Sequence, residues 1–544
     1  MKTMKTSPRQ RPLAAALHYA LLSAALVPSF AMAQTVPGGN TAALNYTNTG
    51  NTPPDQTLIN QPGPAGGDGA AYIIDLQPVQ DVRGGSLQTL FNVSSTGGNG
   101  GAGGPSDVGY GPDGPQGGSG GAGGALDFTV DAPLPNYSAI ENYATGGYGV
   151  SLSSQGGNAG SGSDAQNNGN GGIGGTGGVG GKVVFNLNGN ASYPASLNFI
   201  EATGASVNLY SGGGRGGDSG ETQGGIGGPN VTGRKGGSGG DGGEIDANLN
   251  GNLNGYNGGS GLVAMSVGGD GGTGGAAEQN TGKATGADGG NAGNGGVINV
   301  NLLGGAVTAA GPATAGTGKQ ETFDSGSDPS QTVPLDTSVT AGGILAISQG
   351  GLGGVAGTVD GAVTNAGNGA SGGTGGTVTL DLQGSSLPVL NNNSILNTTG
   401  YNTFGAMALS AGGNGGSGNS GSGVYFRKGG AGGSGGDGGG AFINVANDTT
   451  TPYAKILTTG DDADALIAMS VGGGGGYSGD LNDSSGGGIF SVYIGGEGGN
   501  GGNGSDARIN NGYYDAQGFF HPGDVITTTG TFSRGMVAQS VGGG

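Results

Sequence analysis

The chain contains no cysteine and no tryptophan, and only 10% of its residues are charged, against roughly 25% in an average chain. Without cysteine there are no disulfides. With so little charge and regularly placed apolar residues, this is not a charge-driven disordered tail. Basic residues are the scarcer sign: Lys+Arg number 16 against 36 Asp+Glu, a net charge of −20. That balance excludes nucleic acid as a partner, since such binding needs Lys and Arg to neutralise phosphates; a soluble, solvated exterior accounts for it. Histidine occurs twice, at His18 and His521. No Gly-Lys-Ser/Thr is present, so there is no phosphate-binding P-loop.

What the chain has in excess is glycine, 141 of 544 residues, where roughly 7% is usual. Before the glycine begins, Lys2, Lys5, Arg9 and Arg11 precede an apolar run from Leu13 to Val27. Pro28 breaks that run, and Ala31-Met32-Ala33 forms a small-residue cleavage site. This three-part pattern predicts a secretory signal peptide over residues 1–33, with the mature chain starting at Gln34. The run is short for a membrane span, and nothing later resembles a transmembrane helix. His18 falls in the signal, leaving His521 alone in the mature chain. Residues 34–85 read as an N-terminal cap or linker, and residues 86–544 as a repeat region.

Three phrases recur in that region. One, strand B, places a small residue before apolar-x-small-apolar, then Ser and Gly-Gly, at Gly149, Gly261, Gly343, Gly405, Ala465 and Gly535, with weaker copies at Leu90 and Ala205. A second, strand A, is Ile-rich and ends in Gly at Ile200–Gly204, Ile395–Gly400, Ile456–Gly460 and Ile526–Gly530. A third, strand C, alternates apolar and polar residues, as in Val183/Phe185/Leu187 against Val184/Asn186/Asn188. Period-two alternation is the mark of a half-buried strand. Each module reads A, B, a long glycine stretch, then C.

A single three-strand rung cannot bury its inward row, so rungs must stack. The prediction is an all-β parallel β-helix or solenoid of about eight modules with long glycine-rich excursions. Two details support stacking. The same outward position of strand C holds Asn186, Asn248, Asn301, Asp381 and Asn444, which would line up as an amide ladder. Strand B is apolar on both faces at Leu262–Met265 and Leu466–Met469, so its outer side needs a cover, for which the glycine stretches are the candidate. Those stretches run in threes, as in GGIGGTGGVGG from Gly171 to Gly181. They fit packed polyproline-II-like arms with three residues per turn, and equally flexible linkers.

Motifs for chemistry are weak. Gly217-Asp218-Ser219-Gly220 matches the core of a serine-protease signature, but Glu221 follows and no histidine base is near in sequence. Asp461, Asp462 and Asp464 suggest an acidic pair, yet other modules hold Tyr401-Asn402-Thr403 or Thr531-Phe532-Ser533 there, so a solvated turn is expected. GGSGGDGG at Gly236 and Gly432 resembles half of a calcium-binding nonapeptide, but Gly243 and Gly439 stand where a large aliphatic residue is needed. Arg234-Lys235 and Arg427-Lys428 read as solvated basic pairs. No catalytic, cofactor-binding or metal site is expected, and no cofactor.

The phrase Ile-Thr-Thr-x-Gly…Ala-x-Ser-Val-Gly-Gly-Gly, clearest at Ile526–Gly544 and Ile456–Gly476, resembles the glycine-rich passenger repeats of large Gram-negative autotransporters. The resemblance spans roughly residues 90–544. It implies a secreted, cell-surface passenger, a parallel β-helix, and a C-terminal outer-membrane barrel; absence of cysteine fits passage through such a pore. This chain has no barrel-like tail and stops at Gly542-Gly543-Gly544 after a strand B, so it is expected to be a fragment or a truncated product. The role implied is a non-enzymatic adhesin or biofilm passenger. Its partners would be host or abiotic surfaces, glycans or like passengers (self-association), and the outer membrane only through the missing barrel. The alternatives are a β-helical polysaccharide-degrading enzyme and a glycine-rich matrix or ice-facing repeat protein.

Overall fold

The computed structural model describes residues 32–36, 44–57, 60–76, 81–84, 89–106, 113–131, 138–142, 144–165, 169–188, 198–225, 230–311, 341–382, 394–445, 455–479, 492–514, 517–523 and 525–544. Of the segment expected to be a signal peptide, residues 1–31 lie outside them. The described residues form strands, turns and extended arms, with no helix.

Three long parallel sheets wrap one core, as the repeat predicts. The B-sheet has nine strands, Leu44–Thr49, Thr89–Thr96, Tyr148–Gln155, Ala205–Gly212, Ser260–Val267, Ala341–Gln349, Thr403–Ala411, Leu466–Val471 and Met536–Val541, stacked in chain order. The C-sheet also has nine, from Met32–Val36 and Tyr72–Leu76 through Val183–Asn188, Ile245–Asn250 and Ile298–Gly304 to Ala507–Asn510. The A-sheet has eight, from Asp81–Gly84 to Val525–Thr529. Every pairing in these sheets joins a strand to its copy one module away, so the chain is a parallel solenoid. At about 4.8 Å per rung, nine strands make a rod of roughly 38 Å. The C-sheet begins at Met32, the B-sheet at Leu44 and the A-sheet at Asp81, ahead of residue 86.

The core follows from the alternation. In the C-sheet Leu76, Val130, Leu187, Leu249, Leu302 and Leu382 lie in register and are buried, and Phe128 stacks on Phe185 with ring centroids 6.2 Å apart. Each such side chain stabilises by about 1.5–3 kcal/mol when fully buried. On the outward side Asn248 donates to Asn186 at 2.9 Å and Asn301 to Asn248 at 2.9 Å; farther along, Asn444 donates to Asp381 at 2.6 Å and Asn510 to Asn444 at 2.8 Å. This is the expected amide ladder.

The outer face of the B-sheet changes character along the rod. One column reads Asn45, Asn92, Ser151 and Asn208, then Val263, Leu345, Met407 and Ile467. Leu345, Ile347, Phe404, Met407 and Leu409 form a second buried cluster, with Val263 and Ile467 half-buried beside it. Val263 and Ile467 keep part of their surface open, and the backbone bonds of the glycine stretches run to one another and to the ends of the strands.

Those stretches form a wall beside the rod. From each B strand an outgoing arm leaves, and a returning arm leads back to strand C. Within a Gly-Gly-x triplet the two glycine N–H groups have different partners. The first bonds the x carbonyl of the next rung in the same layer, as Gly120 to Thr176 (2.9 Å) and Gly177 to Ser238 (2.8 Å). The second bonds across to the other layer: Gly121 to Gly98 (2.8 Å), Gly157 to Gly121 (2.8 Å), Gly178 to Gly157 (2.8 Å) and Gly214 to Gly178 (2.7 Å). That row continues through Gly240 and Gly269 to Gly502 and Gly543. A second row lies three residues away, through Gly101, Gly118, Gly160, Gly175 and Gly217. The same role returns at every third residue, as a three-per-turn helix requires. Of the two readings of the glycine, packed arms are what the structure shows. Neither glycine has room for a Cβ: a methyl on Gly120 would overlap the carbonyl of Gly157, and one on Gly121 the carbonyl of Gly67.

At the far ends of the arms a further sheet runs through Thr222–Gly224, Ala277–Thr285, Val359–Asn365, Gly421–Lys428 and Val492–Ile494, with Val231–Thr232 also pairing with Ala277–Thr285. Its small core is Val231, Ala277, Ala284 and Val359.

Candidate functional surface

The Ser of strand B is the joint between rod and wall. It points inward at the strand's end and is fully buried at Ser154, Ser211, Ser266, Ser348 and Ser410. Each hydroxyl links two rungs. Ser154 donates to the Gly124 carbonyl (2.8 Å) and accepts from Gly181 N–H (2.9 Å); Ser211 donates to Gly181 (2.8 Å) and accepts from Gly243 (2.9 Å). The relay continues through Ser266, Gly296, Ser348, Gly376 and Ser410. The position is Ser from Ser95 onward, and in Leu44–Thr49 it is Asn48, whose Oδ1 accepts from Ala70 N–H at 3.0 Å.

The third N–H of each triplet belongs to residue x and points out of the wall. An Asp or Asn at x in the preceding rung reaches it. Asn158 N–H donates to Asn99 (2.9 Å), Arg215 N–H to Asn158 (2.8 Å), Leu352 N–H to Asp270 (2.8 Å) and Thr374 N–H to Asn294 (2.9 Å). Much of the acidity of the repeat region therefore sits in a structural role that Asn fills equally well.

The motifs weighed in the sequence resolve into this scheme. Asp241 and Asp437, the aspartates of the two calcium-like phrases, accept from Asn294 N–H (2.7 Å) and Asn503 N–H (2.6 Å). Asp218 accepts from Thr273 N–H (2.7 Å) and pairs with Arg215 (2.8 Å), while Ser219 Oγ donates to the Thr273 carbonyl (3.2 Å). The backbone of His521 lies in the hairpin Gly512–Tyr514/Phe520–Pro522 of the last rung; its side chain is outside the described residues. In the acidic turn, Asp461 accepts from Thr531 N–H at 2.7 Å. Asp462 has φ 55°, matching Asn402 at 48° and Phe532 at 60°, a left-handed position that Asp and Asn tolerate.

Two expectations of solvation need correcting. Asp464 is 5% exposed and takes the guanidinium of Arg534 at 2.6–3.1 Å, a pairing that raises Arg534 above its ordinary range. Arg427 is 3% exposed, donates to the Gly423 carbonyl and lies 5.0 Å over the Tyr493 ring. Its neighbour Lys428 is exposed, and Lys235 likewise, while Arg234 pairs with Asp113. Among the described residues no group of three or more His, Asp or Glu could hold a metal ion.

Sequence reasoning missed one constellation. Glu141 and Glu201 are register partners on adjacent A strands, with Arg83 in register beyond Glu141 and Asn254 beyond Glu201. Glu141 is 5% exposed. Burial raises the Glu201 carboxyl above the ordinary Glu range; Glu141's charge adds to this, and a hydrogen bond with Asn254 opposes it. The signal was the Ile-Glu dipeptide in both segments, which the Ile-Thr consensus of strand A hid.

What remains outward on the returning layer is a row of consecutive x residues, Ser119, Thr176, Ser238, Asn291, Ser371, Ser434 and Asn500, set rung upon rung by the glycine bonds. Their spacing is about 4.8 Å along the rod, with about 9 Å between rows along an arm. A rigid backbone thus presents hydroxyl and amide groups on a lattice. No family model, no curated protein and no solved structure matches the chain.

Proposed function

We propose that the chain is an exported structural surface protein, the adhesin or self-association passenger of an autotransporter. The observation that carries this is the polar lattice on the returning arms, where Thr176, Ser238, Asn291 and Ser371 follow one another on successive rungs. Contacts to such a surface are individually weak and numerous, so attachment would gain by avidity. The repeat phrase and the N-terminal export pattern support the same reading. An enzyme reading has one observation in its favour, the stacked Glu141 and Glu201, since paired carboxylates serve glycoside hydrolysis. Glu141 is 5% exposed, which weighs against a group that substrate must reach.

The test is deletion of the gene followed by surface-attachment and aggregation assays, alongside a protease and glycan-cleavage screen of the purified chain. Reduced attachment without turnover supports the proposal. Unchanged attachment, or turnover abolished by Glu141→Gln, overturns it.

A further inference from the structure

We propose that Glu141 and Glu201 form an acid-sensitive seam, in which one proton held between them locks two neighbouring rungs and its loss loosens them. The geometry comes first. Strands Ser138–Asn142 and Asn198–Ala202 pair in parallel with Glu141 directly beside Glu201, so the two carboxyls stand on the same outward face, one rung of about 4.8 Å apart. Like charges set directly opposite on paired strands are destabilising. Inward, Ile140 and Ile200 are each 1% exposed, so neither strand can slide to separate the glutamates without disturbing the core.

The backbone of Arg83 holds the register position next to Glu141, on strand Asp81–Gly84. On the other side Glu201 meets Asn254, and Thr308 Oγ1 donates to Asn254 Oδ1 at 3.0 Å. The B strands of these two rungs, Tyr148–Gln155 and Ala205–Gly212, carry Tyr148 and Tyr210 but no carboxylate or base. Glu201, half-buried beside Glu141, is the group that burial pushes above the ordinary Glu range, and when it is protonated its carboxyl O–H donates to a carboxyl oxygen of Glu141. Deprotonation replaces that hydrogen bond with two adjacent negative charges.

The sign follows from linkage. Glu201 titrates above its unfolded value, so its stabilising contribution is complete below the unfolded Glu range and is lost as pH rises through the folded value.

The experiment is hydrogen exchange of the full chain, corrected for intrinsic rates, between about pH 4 and about pH 8. Peptides covering 138–142 and 198–202 report the seam, and those covering 245–250 and 298–304 serve as controls. In the wild type, seam protection falls several-fold as pH rises while the controls stay level. Glu201→Gln, which keeps shape and hydrogen bonding, holds protection at its acid level throughout. Glu141→Gln removes the repelling charge and leaves only the part set by the burial of Glu201, so the profile is reduced, giving a second variant should the first fail to fold. A wild-type seam that tracks the controls, or a foldable Gln variant that keeps the full pH dependence, overturns the proposal.

Discussion

The hydroxyl of Ser266 donates to the carbonyl of Gly243 across 2.8 Å, and through that bond the inner end of a B strand holds the glycine arm of the rung before it. The same oxygen accepts from Gly296 N–H at 2.8 Å. Ser266→Ala orphans both groups at a fully buried position, at a cost of about 1–3 kcal/mol. Denaturant unfolding should show that loss, and hydrogen exchange should place it at the roots of the arms around 243 and 296. Ser238→Ala, which changes an outward hydroxyl of the wall, should leave both measurements unchanged.

Asp241 tests whether the acidic glycine phrases are structural. Its carboxylate accepts from Asn294 N–H, and Asn294 does the same for Thr374 with a carboxamide. Asp241→Asn should therefore be neutral to within about 0.5 kcal/mol, whereas Asp241→Ala, which leaves the N–H to water, should cost up to about 1 kcal/mol. Calcium should not shift the thermal midpoint of the wild type. A midpoint that rises with calcium and is insensitive in Asp241→Asn would mean a cation site.

Phe532 occupies a left-handed position at φ 60° and is 82% exposed. The corresponding turns use Asn402 and Asp462. A bulky residue there carries strain of about 1–2 kcal/mol, and no burial offsets it. Phe532→Asn should stabilise the chain by about 1 kcal/mol, seen as a higher thermal midpoint. A lower midpoint would show that the ring makes a contact worth more than the strain.

The rod was legible in the sequence because its physics is local. Val183, Phe185 and Leu187 alternate with Val184, Asn186 and Asn188, and that fixes which face is buried and which row of Asn must stack. Other parts were not legible because they depend on residues from other rungs. The Ser of strand B is visible as a recurring letter, but its partners, Gly243 and Gly296 for Ser266, lie in two different rungs. Asp241 and Asp437 resemble half of a metal phrase in sequence, and their role as caps shows only once the N–H groups of Asn294 and Asn503 are located on the rungs after them. The far sheet has no shared pattern, since Ala277–Thr285, Val359–Asn365 and Gly421–Lys428 agree in almost no side chain and no recurring phrase marks their register. Glu141 and Glu201 stand 60 residues apart, 201 − 141 in the numbering, and only the register of two short strands makes them neighbours.

The central claim is that the glycine stretches are a hydrogen-bonded wall and not linkers, and the most direct measurement of it is amide hydrogen exchange at the second glycine of each triplet. Gly121, Gly157, Gly178, Gly214 and Gly240 each donate to a glycine of the facing layer at 2.7–2.9 Å. The account predicts protection at these amides comparable to that of strands Val183–Asn188 and Ile245–Asn250, and its selective loss around Gly178 in Gly178→Ala. Exchange of these glycines at the rate of an unstructured chain, with the strands still protected, would contradict it.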